Sequence, residues 1–520
     1  YGVLPTEPMA DVTRRFVDWV SAYTMAPQGA VLRMAMSVPD ALEAPKPIFR
    51  FTLNADFDAA SLRMTPPRKR VLAFLADHPP MEQGDILRET GAGASVVKGL
   101  VEAGAVQRLM VTPPSPFDLP DLEIPRPDLS DEQTAAADAL CAQVESGGFS
   151  CTLLDGITGS GKTEVYFEPI RAALAQGKQV VVLLPEIALS AQWLQRFRDR
   201  FGVNPALWHS EVGQARRRDT WRAVADGSAK LVVGARSALF LPYHDLGLIV
   251  VDEEHEHAFK QEDGVIYHAR DMAVARAHLG NIPVVLASAT PSLETLANVE
   301  AGRYQRVELG SRHGAAVLPS VEIIDIRSDK PERNRWITPT LKKRLVETFA
   351  SGEQAMLFLN RRGYAPLTLC RACGHRFQCP NCTAWLVEHR AWGKLQCHHC
   401  GYQAKAPDTC PECGAEGKLA PCGPGVERLF EEAVETFPDI RVEVATSDNI
   451  MGPKAAAELV KRVHNHEVDL LIGTQILAKG YHFPMLTLVG VVDADLGLAG
   501  GDLRAAERSY QLLTQVAGRA

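Results

Sequence analysis

From residue 129 onward, short apolar runs alternate with helical stretches. The runs at 150–154, 179–184, 231–233, 248–251 and 284–287 are nearly continuous in Val, Leu, Ile and Ala. Strands of that kind are buried on both faces, and their alternation with helices implies a parallel sheet with crossover helices. A second series resumes at 355–359, 469–472 and 486–492. The pattern predicts an α/β protein of two lobes, 129–312 and 313–520. Ahead of them, residues 12–23 carry helical apolar spacing through Phe16, Val17, Trp19 and Val20, within a leading piece, 1–60. Residues 66–111 read as three short helices (one with Val71, Leu72 and Leu75, then 83–89 and 94–102) and a strand at 106–111. That order and size suggest a winged helix over 61–112. Six prolines within 113–127 make 113–128 a semi-rigid linker, because proline fixes φ and removes a donor.

At 520 residues the chain exceeds one ordinary domain. Its apolar fraction of 46% and charged fraction of 23% are those of a globular protein, and no apolar run is long enough to span a bilayer. A net charge of -8 excludes coating of DNA by bulk charge and leaves a local basic groove open.

Eight of the eleven cysteines form four Cys-x2-Cys pairs: Cys370/Cys373, Cys379/Cys382, Cys397/Cys400 and Cys410/Cys413. Such pairs read as metal sites in a reducing compartment, here the cytoplasm. Eight thiolates suffice for two tetrahedral zinc sites, closed and therefore structural. Spacing alone leaves sequential, crossed and nested pairings open. Cys141, Cys151 and Cys422 are expected to be inert. His375, His398 and His399 are expected to face solvent or DNA, since thiolates already fill both shells.

The segment Gly156-Ile-Thr158-Gly159-Ser160-Gly161-Lys162-Thr163 fits G-x4-G-K-[ST] between a strand and a helix. Its glycines let backbone N–H groups approach phosphates, Lys162 reaches the β- and γ-phosphates, and the Thr163 hydroxyl takes Mg²⁺. The run 248–251 ends in Asp252-Glu253-Glu254-His255, so carboxylates stand at the sheet edge beside that loop. Asp252 is expected to hold Mg²⁺ and Glu253 to activate the attacking water. These two motifs specify a P-loop NTPase. Further signals lie at strand ends: Pro185-Glu186-Ile-Ala-Leu-Ser190, Gly234-Ala-Arg-Ser237, Ser288-Ala-Thr290, Gly473-Thr474-Gln475, Lys479-Gly480 and Gln515-x-x-Gly518-Arg519.

In that order the motifs resemble superfamily 2 helicases of the DExH kind, whose nucleotide sits between two RecA-like lobes. The resemblance implies that Gln133 reads adenine, that Gly518 and Arg519 approach the nucleotide from lobe 2, and that Thr474 and Lys479 contact phosphates of one DNA strand. Three stretches narrow the match: Phe259-Lys260-Gln261 with Tyr267-His268-Ala-Arg270-Asp271, then Asn360-Arg-Arg-Gly363-Tyr364-Ala-Pro366 before the cysteines, then 472–484. Together they resemble PriA, the primosomal replication-restart helicase family, over residues 60–520. The family implies an aromatic-rich DNA-contacting loop (Phe259, Lys260, Tyr267, His268, Arg270) and a zinc insertion, 367–423, with nested pairing: Cys370, Cys373, Cys410 and Cys413 for one ion, Cys379, Cys382, Cys397 and Cys400 for the other. It further implies ATP, Mg²⁺ and two Zn²⁺ as cofactors, 3′-to-5′ movement on forked DNA, and no membrane. Its implied partners are primosome proteins, single-stranded DNA-binding protein and the replicative helicase loader.

Two rival classes fit the same residues. One is a non-motor scaffold on branched DNA with ATP as a structural ligand; the intact Lys162 and Asp252-Glu253 speak against it. The other is an RNA-directed motor, and no residue tests a 2′-hydroxyl. Residue 1 is Tyr, and the last residues stop inside a helicase motif. Both ends are expected to be cut, leaving residues 1–60 as the remnant of an amino-terminal DNA-binding domain and lobe 2 incomplete. The expected second arginine of the last motif falls past residue 520, so hydrolysis by these residues alone is expected to be poor.

Overall fold

The computed structural model describes residues 8–43, 47–57, 62–111, 115–185, 191–312, 319–332, 335–359, 367–370, 372–373, 375, 377–382, 386–389, 394–397, 400–405, 407–417, 419–422, 425–446, 453–474, 483, 485–492, 494–498 and 503–518.

The leading piece is α1 (Asp11–Thr24) and α2 (Gln28–Ala35). A small unit follows: β1 (Ile48–Leu53), α3 (Pro66–Ala76), β2 (Met81–Glu82), α4 (Gln83–Thr90), α5 (Ala94–Glu102) and β3 (Val106–Val111). Its sheet runs in the order β2-β1-β3, antiparallel, over a core of Phe51, Val71, Leu75, Ile86, Val97 and Leu100. These are the three helices and the strand anticipated from the pattern. The central strand β1, however, comes from before residue 61, so the unit begins earlier than expected.

The leading helices correct a second expectation. Phe16, Val17, Val20, Val31 and Ala35 are buried in one cluster with Trp221, Phe240 and Ala273 of lobe 1. Arg276 donates to Thr13 Oγ1 at 3.0 Å, and Trp221 Nε1 to the Ala35 carbonyl at 2.8 Å. Residues 11–42 therefore build lobe 1 rather than a separate domain. The proline-rich segment is laid down on the same lobe. Asp121 N donates to Phe201 O at 2.9 Å, and Arg200 Nη1 to Ile124 O at 2.9 Å.

Lobe 1 continues with α6 (Asp131–Ser146), β4 (Ser150–Gly156), α7 (Lys162–Ala175), β5 (Gln179–Leu183), α8 (Ala191–Phe201), β6 (Ala206–Trp208), α9 (Gln214–Ala225), β7 (Leu231–Gly234), β8 (Leu246–Asp252), β9 (Lys260–Gln261), β10 (Tyr267–His268), α10 (Ala269–Gly280), β11 (Pro283–Ser288), α11 (Leu293–Glu300) and β12 (Gln305–Leu309). Seven strands form a parallel sheet in the order β12-β4-β11-β8-β5-β7-β6. Apolar clusters fill both of its faces, which is why these strands lack alternation.

Lobe 2 holds α12 (Pro339–Ala350), β13 (Gln354–Leu359), then β14 (Leu367–Cys370), β15 (Val387–His389), β16 (Lys394–Gln396), β17 (Gln403–Lys405) and β18 (Leu419–Cys422). It ends with α13 (Val426–Thr436), β19 (Val442–Ala445), α14 (Pro453–His464), β20 (Leu470–Gly473), β21 (Leu486–Val492) and α15 (Ala505–Ala517). Its main sheet is parallel, β19-β20-β13-β21. The strands of the cysteine-rich insertion make a separate antiparallel sheet, β17-β16-β15-β14-β18. The fold is thus two α/β lobes with a cysteine-rich insertion in the second.

Candidate functional site

Strands β4, β11 and β8 are neighbours and parallel, so their carboxyl ends open on one edge, where ligands of open α/β sheets bind. β4 delivers the phosphate loop. Gly159 and Gly161 turn it at φ 83° and 81°, a region open to glycine at little cost. α7 starts at Lys162 and aims its free N–H groups at the loop. Lys162 Nζ donates to Gly156 O at 2.7 Å and to Ile157 O at 3.3 Å. Gln133 holds the loop from the other side. Its Oε1 accepts from Ser130 N at 3.0 Å, closing a capping box on α6, and its Nε2 donates to Ser160 O at 2.8 Å. Both ends of this amide are therefore engaged with protein.

β8 ends at Asp252. Burial, and then the adjacent Glu253 carboxylate, push Asp252 up to about 6; a cation there reverses that bias. Its Oδ2 accepts from Tyr166 Oη at 2.9 Å, and Trp193 Nε1 donates to the same hydroxyl at 2.8 Å. Tyr166 was not anticipated. The signal was its place four residues past Lys162, on the same helix face. Glu253 takes φ 51°, a left-handed backbone that costs a non-glycine residue about 1–3 kcal/mol. Glu253 and Glu254 meet opposite environments. The Glu253 side chain is 37% exposed and that of Glu254 is fully buried. Glu253 Oε2 stands 3.7 Å from His255 Nδ1 and accepts no hydrogen bond among the described residues. Ser160 Oγ and Thr290 Oγ1 are also shielded without a partner among the described residues. Unsatisfied buried groups cost about 1–3 kcal/mol each, and three of them along one sheet edge fit a polar, metal-bearing ligand.

Glu254 gathers the start of α11 and Arg270 of α10. It accepts from Ser292 N at 2.7 Å, Ser292 Oγ at 3.0 Å, Thr295 Oγ1 at 2.9 Å and Arg270 Nη1 at 3.2 Å. Next to it, His255 Nδ1 meets Ser288 Oγ at 2.7 Å, and that hydroxyl accepts from Thr290 N at 3.0 Å. Lobe 2 closes the arrangement through α15. Gln515 Nε2 stands 2.6 Å from His255 Nε2, and Gln511 Nε2 donates to Thr290 O at 3.3 Å. Leu293 N donates to Glu507 Oε1 at 3.1 Å, and Arg504 pairs with Glu294. A Cβ on Gly518 would lie 2.6 Å from Thr158 Cβ, so only glycine permits this approach of the last motif to the phosphate loop. Arg519, Lys479 and residues 186–190 lie outside the described residues; Thr474 follows β20 and is half-buried.

The aromatic-loop expectation needs correction. Phe259 and Tyr267 are 1% and 2% exposed within the lobe 1 core, where neither ring can stack on a base. Arg270 is buried in the Glu254 network. Of the five candidates, Lys260 and His268 keep part of their surface, and burial, then Arg270, push His268 down to about 4.

In the insertion the pairing resolves as nested. Cys370 Sγ lies 3.6 Å from Cys413 Sγ, and Cys373 Sγ 3.6 Å from Cys410 Sγ. Cys379 Sγ lies 3.5 Å from Cys400 Sγ, and Cys382 Sγ 3.4 Å from Cys397 Sγ. Within each set of four, all sulfurs fall within 4.8 Å of one another. Thiolates about 2.3 Å from a tetrahedral zinc ion have edges of about 3.8 Å, so both sets fit that ion. The β14–β18 pairing, with Cys370 opposite Leu419, joins the two ends of the insertion and so brings the outermost pairs together. Burial pushes the thiol of Cys141 up to about 12, and that of Cys151 higher still, as expected for inert thiols.

Residues 131–299 match the DEAD/DEAH box helicase family, and residues 379–405 match the PriA DNA helicase Cys-rich region (CRR) domain, which spans the inner four cysteines. The chain is similar to the replication restart protein PriA of Rickettsia felis, 50% identical over 394 residues, covering 76% of this chain and 60% of that protein. Against the same protein of Bacillus subtilis it is 39% identical, covering 88% and 58%. Against that of Chlamydia pneumoniae it is 36% identical, covering 96% of this chain and 69% of the relative. The chain thus spans about 60% of the length of the Rickettsia felis relative.

Proposed function

The chain belongs to the PriA family of replication restart proteins, and from that premise we propose that it is an ATP-driven DNA helicase acting 3′-to-5′ at stalled or branched forks. The observation that carries the motor part is the contact of lobe 2 with the strand ends of lobe 1, from α15 at His255 and Thr290 and from Gly518 just past it at Thr158. Lys162, Thr163 and the loop glycines hold the triphosphate. Asp252, kept in place by Tyr166, holds Mg²⁺, which neutralises phosphate charge. Glu253, left-handed and half-exposed, takes the proton of the attacking water. Arg519 enters from lobe 2. His255, Ser288 and Thr290 couple the hydrolysis state to lobe position. Thr474 and Lys479 touch one strand's phosphates, and Lys260 and His268 reach DNA at the loop edge.

Residues 48–111 act as a winged helix on DNA. The cysteine-rich knob carries two zinc ions and meets DNA or primosome proteins. Through these partners, single-stranded DNA-binding protein and the replicative helicase loader, the protein starts primosome assembly in the cytoplasm, whose reducing conditions keep thiolates available. No helix among the described residues is long and apolar enough to cross a membrane.

Strand displacement tests this reading. Full-length protein is expected to open a forked duplex only with ATP, and to need a 3′ tail on the translocating strand. Fork binding without displacement would leave the scaffold reading in its place. Metal analysis of the same protein is expected to give about two zinc ions per chain, and about one for Cys397→Ser, with ATP binding retained. Metal-replete protein holding no zinc, or losing none on that substitution, contradicts two four-thiolate sites.

A further inference from the structure

The end of lobe 1 is pinned with unusual care. Glu132, beside Gln133 at the start of α6, accepts from Gly310 N at 2.5 Å and from Ser311 N at 3.2 Å. One carboxylate thus fixes two successive backbone groups just past β12. The next residue is Arg312. Its side chain crosses the face of the phosphate loop: a Cβ on Gly159 would lie 3.7 Å from Arg312 Cγ and Nε. Nε donates to Thr158 O at 3.1 Å, and Nη2 donates to Gly518 O at 3.0 Å. The two acceptors belong to different lobes and to the first and last helicase motifs. Gly518 O is also the carbonyl of the peptide that leads into Arg519.

We infer that Arg312 is a positioning residue that ties Gly518 of the last helicase motif to the phosphate loop and so holds the two lobes in register at the nucleotide site. The inference rests on the inter-lobe reading proposed above. Carbonyl oxygens pointing into a cleft repay a donor only where one is held, and the planar guanidinium spans both acceptors with one preorganised fork. Glu132 holds the backbone that presents it, at Gly310 and Ser311. A lysine at 312 carries the charge but has a single nitrogen to share between the two carbonyls.

The test uses full-length protein carrying Arg312→Ala or Arg312→Lys. The expected result is a fall of roughly 10²-fold in DNA-stimulated kcat for Arg312→Ala, the scale at which small misplacement of catalytic groups acts. Arg312→Lys should fall between it and wild type. Nucleotide affinity and melting temperature should stay near wild type in both, a split that general loss of structure does not produce. In a second readout, fluorescence transfer between dyes on α8 and α12 with ADP and beryllium fluoride, the closed-lobe population should drop in Arg312→Ala. Unchanged kcat with an active wild type, or an unchanged closed population, overturns the inference. A wild type that closes its lobes but does not hydrolyse ATP instead removes the motor reading, and the closed population still decides the role of Arg312.

Discussion

Replacing Lys162 by alanine in the full-length protein is expected to lower DNA-stimulated ATP hydrolysis by at least about 10²–10³-fold, the range for loss of one preorganised charge-stabilising group. The lysine starts α7 with its ammonium folded over the loop, bonded to Gly156 O and Ile157 O. A phosphate chain competes well for that ammonium, because charge-assisted hydrogen bonds are roughly twice as strong as neutral ones. Alanine leaves the loop glycines and the helix N-terminus in place, so folding and DNA binding should persist. Steady-state hydrolysis and a DNA-binding titration on one preparation check both halves. Hydrolysis that survives the substitution means the phosphate site is elsewhere; DNA binding lost along with it means the two sites are not separate.

A substitution two residues past Asp252 should act on stability instead. Glu254 is fully buried and accepts from Arg270, Ser292 and Thr295. Removing one partner of a buried ion pair costs about 3–5 kcal/mol, because the other charge is left uncompensated. Glu254→Ala removes the buried acceptor of Ser292 N, Ser292 Oγ and Thr295 Oγ1 and leaves Arg270 with Asp271 and Ser292 Oγ as partners. At about 2–4 °C of melting temperature per kcal/mol for a domain of this size, lobe 1 should melt roughly 10 °C lower. Glu254→Gln keeps an acceptor and should lose less. Thermal unfolding followed by circular dichroism measures it; a shift under about 2 °C for the alanine variant would show that the network adds little.

These two residues illustrate how unevenly the site was legible. Lys162 announces itself, because phosphate binding needs one spacing of glycines, lysine and hydroxyl between strand and helix. Glu254 looks like one carboxylate in an acidic run. Its burial follows from the left-handed turn at Glu253, which a sequence of non-glycine residues does not advertise. Strands buried on both faces were readable from apolar continuity: the run 248–251 lies inside β8. By contrast, β1 was missed. Its partner β3 lies about fifty residues on, with Leu53 opposite Val106, and no local pattern encodes that pairing. The amphipathic face of α1 was visible, but not that it packs on Phe240 and Ala273. Phe259 and Tyr267 show the same limit. Aromatic residues beside a helicase motif look equally suited to DNA and to the core, and only packing separates the two. Cysteine pairing was undecided by spacing because it depends on β14 meeting β18.

The most direct measurement is the ATP hydrolysis rate of the full-length protein with and without forked DNA. The inter-lobe contacts from α15 to His255 and Thr290 predict slow hydrolysis alone and a large rise with the fork, abolished in Lys162→Ala. A rate indifferent to DNA, or no hydrolysis under any DNA condition, would contradict a DNA-driven motor.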